Sequence, residues 1–326
     1  MDFPKFRAAA VQTSPIFLDV QATVDKAISF IKEASANGAA LVAFPEVFVA
    51  GYPYWNWIMT PVQGSKWYEA LYKNSVLADG PEIRKICDAA KQYNCHIVIG
   101  INERGDSYGE IYNTNLIIDS NGTIIGKHRK LVPTWAEKLT WTSGDGSSLK
   151  VYKTAIGPIG TLACGENTNT LARFTLLAQG ELIHVANYIS LPVAPADYNM
   201  AEAIKIRAAA HSFEGKLFTV VSCSTISKEI MAALEPDVPN VKELLTRENS
   251  AFSGIIGPNG AVIGKPLIDE EGIVYADIDL QQCIQPKQMH DLLGHYNRFD
   301  IFDLRVNIAP TRKITFIDNH DDFHKK

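Results

Sequence analysis

The sequence predicts an α/β fold with mixed sheets inside and helices outside, on three observations. Short apolar strands alternate with helix-spaced stretches along the whole chain. Two turn signals, Ser120-Asn121-Gly122 and Pro258-Asn259-Gly260, mark hairpins and so add antiparallel pairs to that alternation. Several strands are apolar on successive residues, which requires cover on both faces. No low-complexity linker divides the chain, and no repeat of roughly 20 to 50 residues suggests a solenoid or propeller.

The elements follow in order. Residues 6–12 are short and apolar and predict a buried strand. Residues 19–37 carry Val20, Val24, Ala27, Ile28 and Ile31 at helical spacing, and Gly38 can end that helix. Residues 40–44 predict a second strand, broken by Pro45. Gly80 and Pro81 introduce a helix to about Tyr93, and residues 96–101 form the next strand. Residues 113–119 and 123–130 are the arms of the first hairpin. The later part repeats the style. A strand over 160–164 precedes a helix over 171–179 that Gly180 stops. Strands over 182–187 and 217–222 flank a long helix over 200–214. Residues 251–256 and 261–266 form the second hairpin, and 273–279 close the core.

With 36 acidic and 31 basic residues the formal net charge is -5, which favours neither nucleic acid nor an anionic membrane as partner. No apolar run approaches the roughly 20 residues of a membrane span. The start, MDFPKFRAAAVQTSP, has no basic segment followed by an apolar core, so no secretory leader is expected. Five cysteines, at 87, 95, 164, 223 and 283, include no CxxC pair and fit reduced thiols in a cytoplasm. The eight histidines look scattered, and there is no GxGxxG, Walker loop, GxSxG or HExxH. No metal and no cofactor are expected. The polar ending, from His320 to Lys326, reads as a solvated tail.

Three segments hold candidate chemistry. In GTLACGENTNTLARF, Cys164 ends a strand just before a helix, where a sharp bend exposes a nucleophile beside backbone N–H groups. The same cysteine also reads as a buried core residue. In LVAFPEVFVAGYPYW, Glu46 is either a desolvated general base or a strand-end carboxylate reaching solvent. In GTIIGKHRKLVPTWAEKLTW, strand alternation puts His128 and Lys130 on one face and Arg129 on the other. A solvated basic edge is the competing reading there. Glu137 follows seven residues after Lys130 and can pair with it.

Together and in this order, FPEVFVAGYPYW, GKHRKLVPTWAE and CGENTNTLARF resemble the Glu, Lys and Cys signatures of the nitrilase family. The resemblance continues through QGELIHVANY, DYNMAEAIKIRAAAHSFEGK and GHYNRFDIF, covering about residues 6 to 308. The details Tyr52-Pro53-Tyr54-Trp55 and Cys164-Gly165-Glu166-Asn167 look like nitrilases acting on arylaliphatic nitriles. One departure is Arg298-Phe299-Asp300, where the family usually has Arg-Pro-Asp.

The resemblance implies a four-layer α-β-β-α sandwich, with one domain over 1–308 and a tail over 309–326. It implies hydrolysis of a small nitrile by water to an acid and ammonia. Cys164 would be the nucleophile, Glu46 the base, Lys130 the cation and Glu137 its partner. Aliphatic amidase, carbamoylase and cyanide-processing activities use the same residues and are the alternatives. Gly165 would offer its N–H to the substrate, and Tyr54, Trp135 and Asn187 would wall the pocket. Trp57 and Trp141 read as core or interface residues. A homodimer or higher homo-oligomer is expected, in contact through the helices after Cys164 and over 200–214. The second of these carries Ala201, Ala203, Ala208, Ala209 and Ala210.

Overall fold

The computed structural model describes residues 3–315; the polar ending at 320–326 lies outside them. The strands of the first half are β1 (Lys5–Gln12), β2 (Ala39–Ala43), β3 (His96–Arg104), β4 (Ile111–Ile118) and β5 (Ile124–Arg129). Those of the second are β6 (Tyr152–Thr154), β7 (Gly157–Ala163), β8 (Ile183–Tyr188), β9 (Phe218–Cys223), β10 (Phe252–Ile256), β11 (Val262–Ile268) and β12 (Gly272–Asp279). They form two six-stranded sheets, ordered β12-β1-β2-β3-β4-β5 and β11-β10-β9-β8-β7-β6. Both sheets are mixed. In the first, β1, β2 and β3 are parallel and the remaining pairs antiparallel. In the second, β7, β8 and β9 are parallel and the rest antiparallel.

The helices are α1 (Val20–Ala36), α2 (Trp55–Ile58), α3 (Pro61–Asn74), α4 (Pro81–Tyr93), α5 (Thr170–Leu177), α6 (Met200–Gly215), α7 (Lys228–Leu234), α8 (Val241–Leu245) and α9 (Gln285–Met289). Asp19 caps α1 by accepting from Ala22 N–H, and the helix buries Val24, Ala27 and Ile31. Among the described residues no helix is long and apolar enough to cross a membrane.

Strand alternation sorts the side chains into layers. Ala9, Val42, Ile97 and Ile99 face α1 and α4. On the opposite face, Ala8, Leu41, Val98 and Ile117 meet Ile159, Val185, Val220 and Ile255 of the second sheet. Each fully buried Val, Leu or Ile among them contributes roughly 1.5–3 kcal/mol. Beyond the second sheet, Ala172 and Leu176 of α5 cover Leu162, and Ala201, Ile204 and Ala208 of α6 cover Val221 and Ile256. The result is the expected helix-sheet-sheet-helix sandwich.

Polar bonds pin the two sheets in register. Asn115 on β4 donates to Thr161 on β7 (2.8 Å) and to Asn187 on β8 (3.0 Å). Glu46 N–H donates to Tyr188 C=O at 3.3 Å, joining the ends of β2 and β8.

The sequence reading misses β6, α2, α3, α7, α8 and α9. Four of these helices gather in a separate apolar cluster, with Trp55, Leu71, Ile230, Leu234, Val241 and Leu245, at one end of the sandwich. All except α3 are seven residues or shorter, too few turns for a period to show. In α3, Trp67, Tyr68, Leu71 and Tyr72 do lie at helical spacing and pack on this cluster, a stripe the sequence reading passes over.

Candidate active site

Pro45 ends β2, and Glu46 follows in a turn that lies directly on β3. Gly100 permits this approach, since a Cβ there would stand 2.3 Å from Val47 N and 2.5 Å from Pro45 O. Lys130 is one residue beyond β5 and is 1 % exposed. Its ammonium donates to Glu46 Oε1 at 2.8 Å and to Glu137 Oε2 at 2.7 Å. Asn113 adds a second donor to Glu46 Oε1 at 2.7 Å. Glu137 sits in the 3-10 turn Trp135–Leu139 and accepts from Thr134 N–H (2.7 Å) and the Tyr52 hydroxyl (2.9 Å).

This arrangement sets the charges. Burial opposes the charge on Lys130, but the carboxylates of Glu137 and Glu46 outweigh it and hold the ammonium well above the ordinary lysine range. Burial pushes Glu46 up, and the nearby Glu137 charge outlasts part of the relief that Lys130 gives. Among the described residues Glu46 Oε2 has no hydrogen-bond partner.

Cys164 closes β7 and opens the 3-10 turn Cys164–Thr168. Its φ of +51° is a left-handed conformation that costs roughly 1–3 kcal/mol for a residue with a side chain. Val47 and Trp135, neighbours of the other two segments, are also at positive φ (40° and 44°). Glu166 holds the turn against the Lys130 segment. One of its oxygens accepts from Leu131 N–H (2.7 Å), and the other from Ala163 N–H (3.0 Å) and His128 Nε2 (2.8 Å). Burial pushes the Cys164 thiol well above its ordinary value; Glu46 and Glu137 raise it further, and Lys130 opposes them.

Cys164, Gly165 and Glu137 line a cavity of about 600 Å³. Its wall is mostly apolar, with Trp57, Trp135, Ile189, Leu191, Val193 and Tyr198 among the lining residues, and Lys138, Glu166 and Arg207 add charge beside Glu137. Glu46 and Lys130 are outside the lining, each 1 % exposed.

Residues 7–288 match the model of the carbon-nitrogen hydrolase family. The chain belongs to that family.

An aliphatic nitrilase of Rhodococcus rhodochrous is 38% identical over 95% of this chain and 84% of its own length. A nitrilase of Bacillus sp. strain OxB-1 is 38% identical over 97% and 92%. The fold is shared with a carbon-nitrogen hydrolase from Helicobacter pylori G27, at TM-score 0.74 and 18% identity, over 91% of this chain and 97% of that one.

In this carbon-nitrogen hydrolase two expected wall residues stand elsewhere. Tyr54 is 1% exposed and donates its hydroxyl to Ser190 C=O at 3.0 Å, away from the cavity lining. The residue that reaches the charged cluster is Tyr52, two positions earlier. Asn187 is fully buried between the sheets, where it meets Asn115, because β8 turns that face toward β4. Trp135 and Gly165 do line the cavity, and so does Trp57, which donates to the Tyr52 hydroxyl at 2.9 Å. Trp141 is buried and bonds Asn102. Asn113 and Glu166 escaped the sequence reading. Glu166 stood in the quoted Cys-Gly-Glu-Asn run, but Asn113 lay inside a strand with nothing to mark it.

The histidines are less scattered than the sequence suggests. His184 and His211 lie with ring centroids 4.4 Å apart, both bonded to Glu181, and all three are buried. Among the described residues this is the one cluster with the spacing to hold a metal ion, although each of its members already has a partner within it.

Proposed function

We propose that the enzyme hydrolyses an organic nitrile, arylaliphatic or aliphatic, to a carboxylic acid and ammonia. The observation carrying this reading is the Lys130 ammonium bonded to both Glu46 and Glu137 beside a cavity that Cys164 lines. Full-length similarity to nitrilases supports it. The apolar wall suits an aryl or alkyl substituent.

In this reading Glu46 takes the thiol proton as Cys164 sulfur bonds to the nitrile carbon. Two bonds of the triple bond remain, the nitrogen gains a proton, and the product is a thioimidate. Lys130 and the Gly165 N–H stabilise the charge that builds on the substrate. Glu46 then activates a water, which adds to the same carbon. The protonated nitrogen leaves as ammonia, a thioester remains, and a second water releases the acid and restores the thiol. Glu137 keeps Lys130 charged and in place. The protein works with a small-molecule substrate and water alone, as a cytoplasmic homodimer or larger homo-oligomer, with one catalytic domain over 1–308.

The test is ammonia release from aryl, arylacetic and alkyl nitriles, the matching amides and free cyanide. Nitriles should be turned over fastest, and Cys164→Ala should abolish the reaction without unfolding the protein. Faster turnover of amides would assign an amidase or carbamoylase, and dominant turnover of cyanide a cyanide-processing enzyme. Substantial activity in Cys164→Ala would place the nucleophile elsewhere.

A further inference from the structure

Asn167 lies three residues beyond Cys164 and is 3% exposed. Its side-chain nitrogen donates to Leu162 C=O at 3.1 Å and to Cys164 C=O at 3.0 Å. Both partners are acceptors, so the nitrogen must face them and the amide oxygen must face His184. His184 Nε2 therefore donates to Asn167 Oδ1, at 2.8 Å. On its other side, His184 Nδ1 meets Glu181 Oε1 at 2.7 Å, and the second Glu181 oxygen meets His211 Nε2 at 2.9 Å. The chain of hydrogen bonds runs from α6 through β8 to the carbonyl of the cysteine. Gly160 on β7 makes room for it, since a Cβ there would stand 2.0 Å from Glu181 Oε1.

A trans peptide is planar, with its C=O and N–H pointing in opposite directions. Holding Cys164 C=O toward Asn167 therefore aims Gly165 N–H the other way. Gly165 lines the cavity, and the first N–H groups of a helical turn have no partner within it. We infer that Asn167, His184 and Glu181 are positioning residues that fix the Cys164–Gly165 peptide so that the Gly165 N–H faces the atom gaining charge during the reaction. The inference rests on the covalent mechanism proposed above. It also accounts for a buried histidine-carboxylate set that stands outside the cavity lining.

Two substitutions separate positioning from packing. Asn at position 184 can place its amide where Nδ1 was and keep the Glu181 contact; Gln can reach where Nε2 was and keep the Asn167 contact. With His184→Asn, kcat should fall roughly 10- to 100-fold while KM stays within about threefold. With His184→Gln most of that loss should be recovered. Alkylation of Cys164 by iodoacetamide displaces iodide and builds no charge at the Gly165 N–H, so its rate should stay within about threefold in both variants. Equal losses in the two variants, a reversed order, or alkylation falling in step with turnover would overturn the inference. If His184→Asn does not fold, Gly160→Ala takes its place, because its methyl group displaces the Glu181 carboxylate. Running the comparison on nitriles and amides keeps the two claims apart. An enzyme active only on amides defeats the nitrile reading, while the Asn-versus-Gln order still scores the positioning role.

Discussion

Tyr52 and Tyr54 stand two residues apart with ring centroids 4.9 Å from each other, yet they serve different ends. Burial and the nearby carboxylates push the Tyr52 hydroxyl well above its ordinary range, so it remains a donor to Glu137. A hydrogen bond to a charged group contributes roughly 1.5–3 kcal/mol. Tyr52→Phe should lower kcat by roughly tenfold or more, since Glu137 then holds Lys130 less firmly. Tyr54→Phe should keep kcat within about twofold and lower the melting temperature instead, because it leaves the Ser190 carbonyl unpaired. Equal kinetic losses in the two variants would refute the distinction. That Glu46, Lys130 and Glu137 meet, with Cys164 on the adjoining cavity, was expected from the three segments in combination and their family resemblance, since each segment alone also had an ordinary structural reading. Which tyrosine faces the cluster was not legible. The run from Glu46 to α2 is irregular, and neither a two-residue nor a 3.6-residue period says where its side chains point.

At the scale of elements, the Glu46 turn and β3 act as one piece. Gly100 N–H donates to Pro45 C=O at 3.2 Å, and Val49 N–H donates to Gly100 C=O at 3.2 Å. Gly100→Ala should push the turn off the strand. Overpacking of this kind costs roughly 1–3 kcal/mol of stability. A displacement of about 1 Å at a catalytic group can cost roughly 100-fold in rate. Kinetics and thermal melts of the variant should therefore show a loss of activity far larger than the loss of fold; a well-folded, fully active Gly100→Ala enzyme would rule this out. The strands other than β6 and the helices α1, α4, α5 and α6 were readable from apolar period and turn residues, whereas the two-sheet sandwich came from the family resemblance. The need for glycine at position 100 was not, because it comes from a turn that returns to β3 from more than 50 residues upstream. Of the five α6 alanines expected at a helix contact, Ala203, Ala209 and Ala210 are half-buried. Ala201 and Ala208 pack inward on the second sheet, and the residues facing out are Ile206 and Phe213.

On the scale of the whole molecule, that outward face leads to the assembly prediction. Ile206 is 59% exposed, Phe213 47% and Leu171 on the neighbouring α5 61%. Arg173 ties α5 to α6 through Glu214 at 2.9 Å. Exposed apolar residues on two helices tied in this way fit a self-complementary contact. Sedimentation at assay concentration should show a dimer or larger species, and Ile206→Asp should shift it toward monomer; a fully active wild-type monomer would count against it. The site has its own dependence on the whole, since the first sheet supplies Glu46 and Lys130 and the second supplies Cys164. The pairing of β1 with β12 adds a condition on synthesis. Lys5 lies opposite Asp279, a partner made about 270 residues later. At roughly 5–20 residues per second, the ribosome takes on the order of 15 to 50 s to supply it. Through that interval the N-terminal strand has one open edge, where a chaperone or a neighbouring nascent chain can pair with it. Of the twelve strands, the one made earliest thus waits for the one made latest.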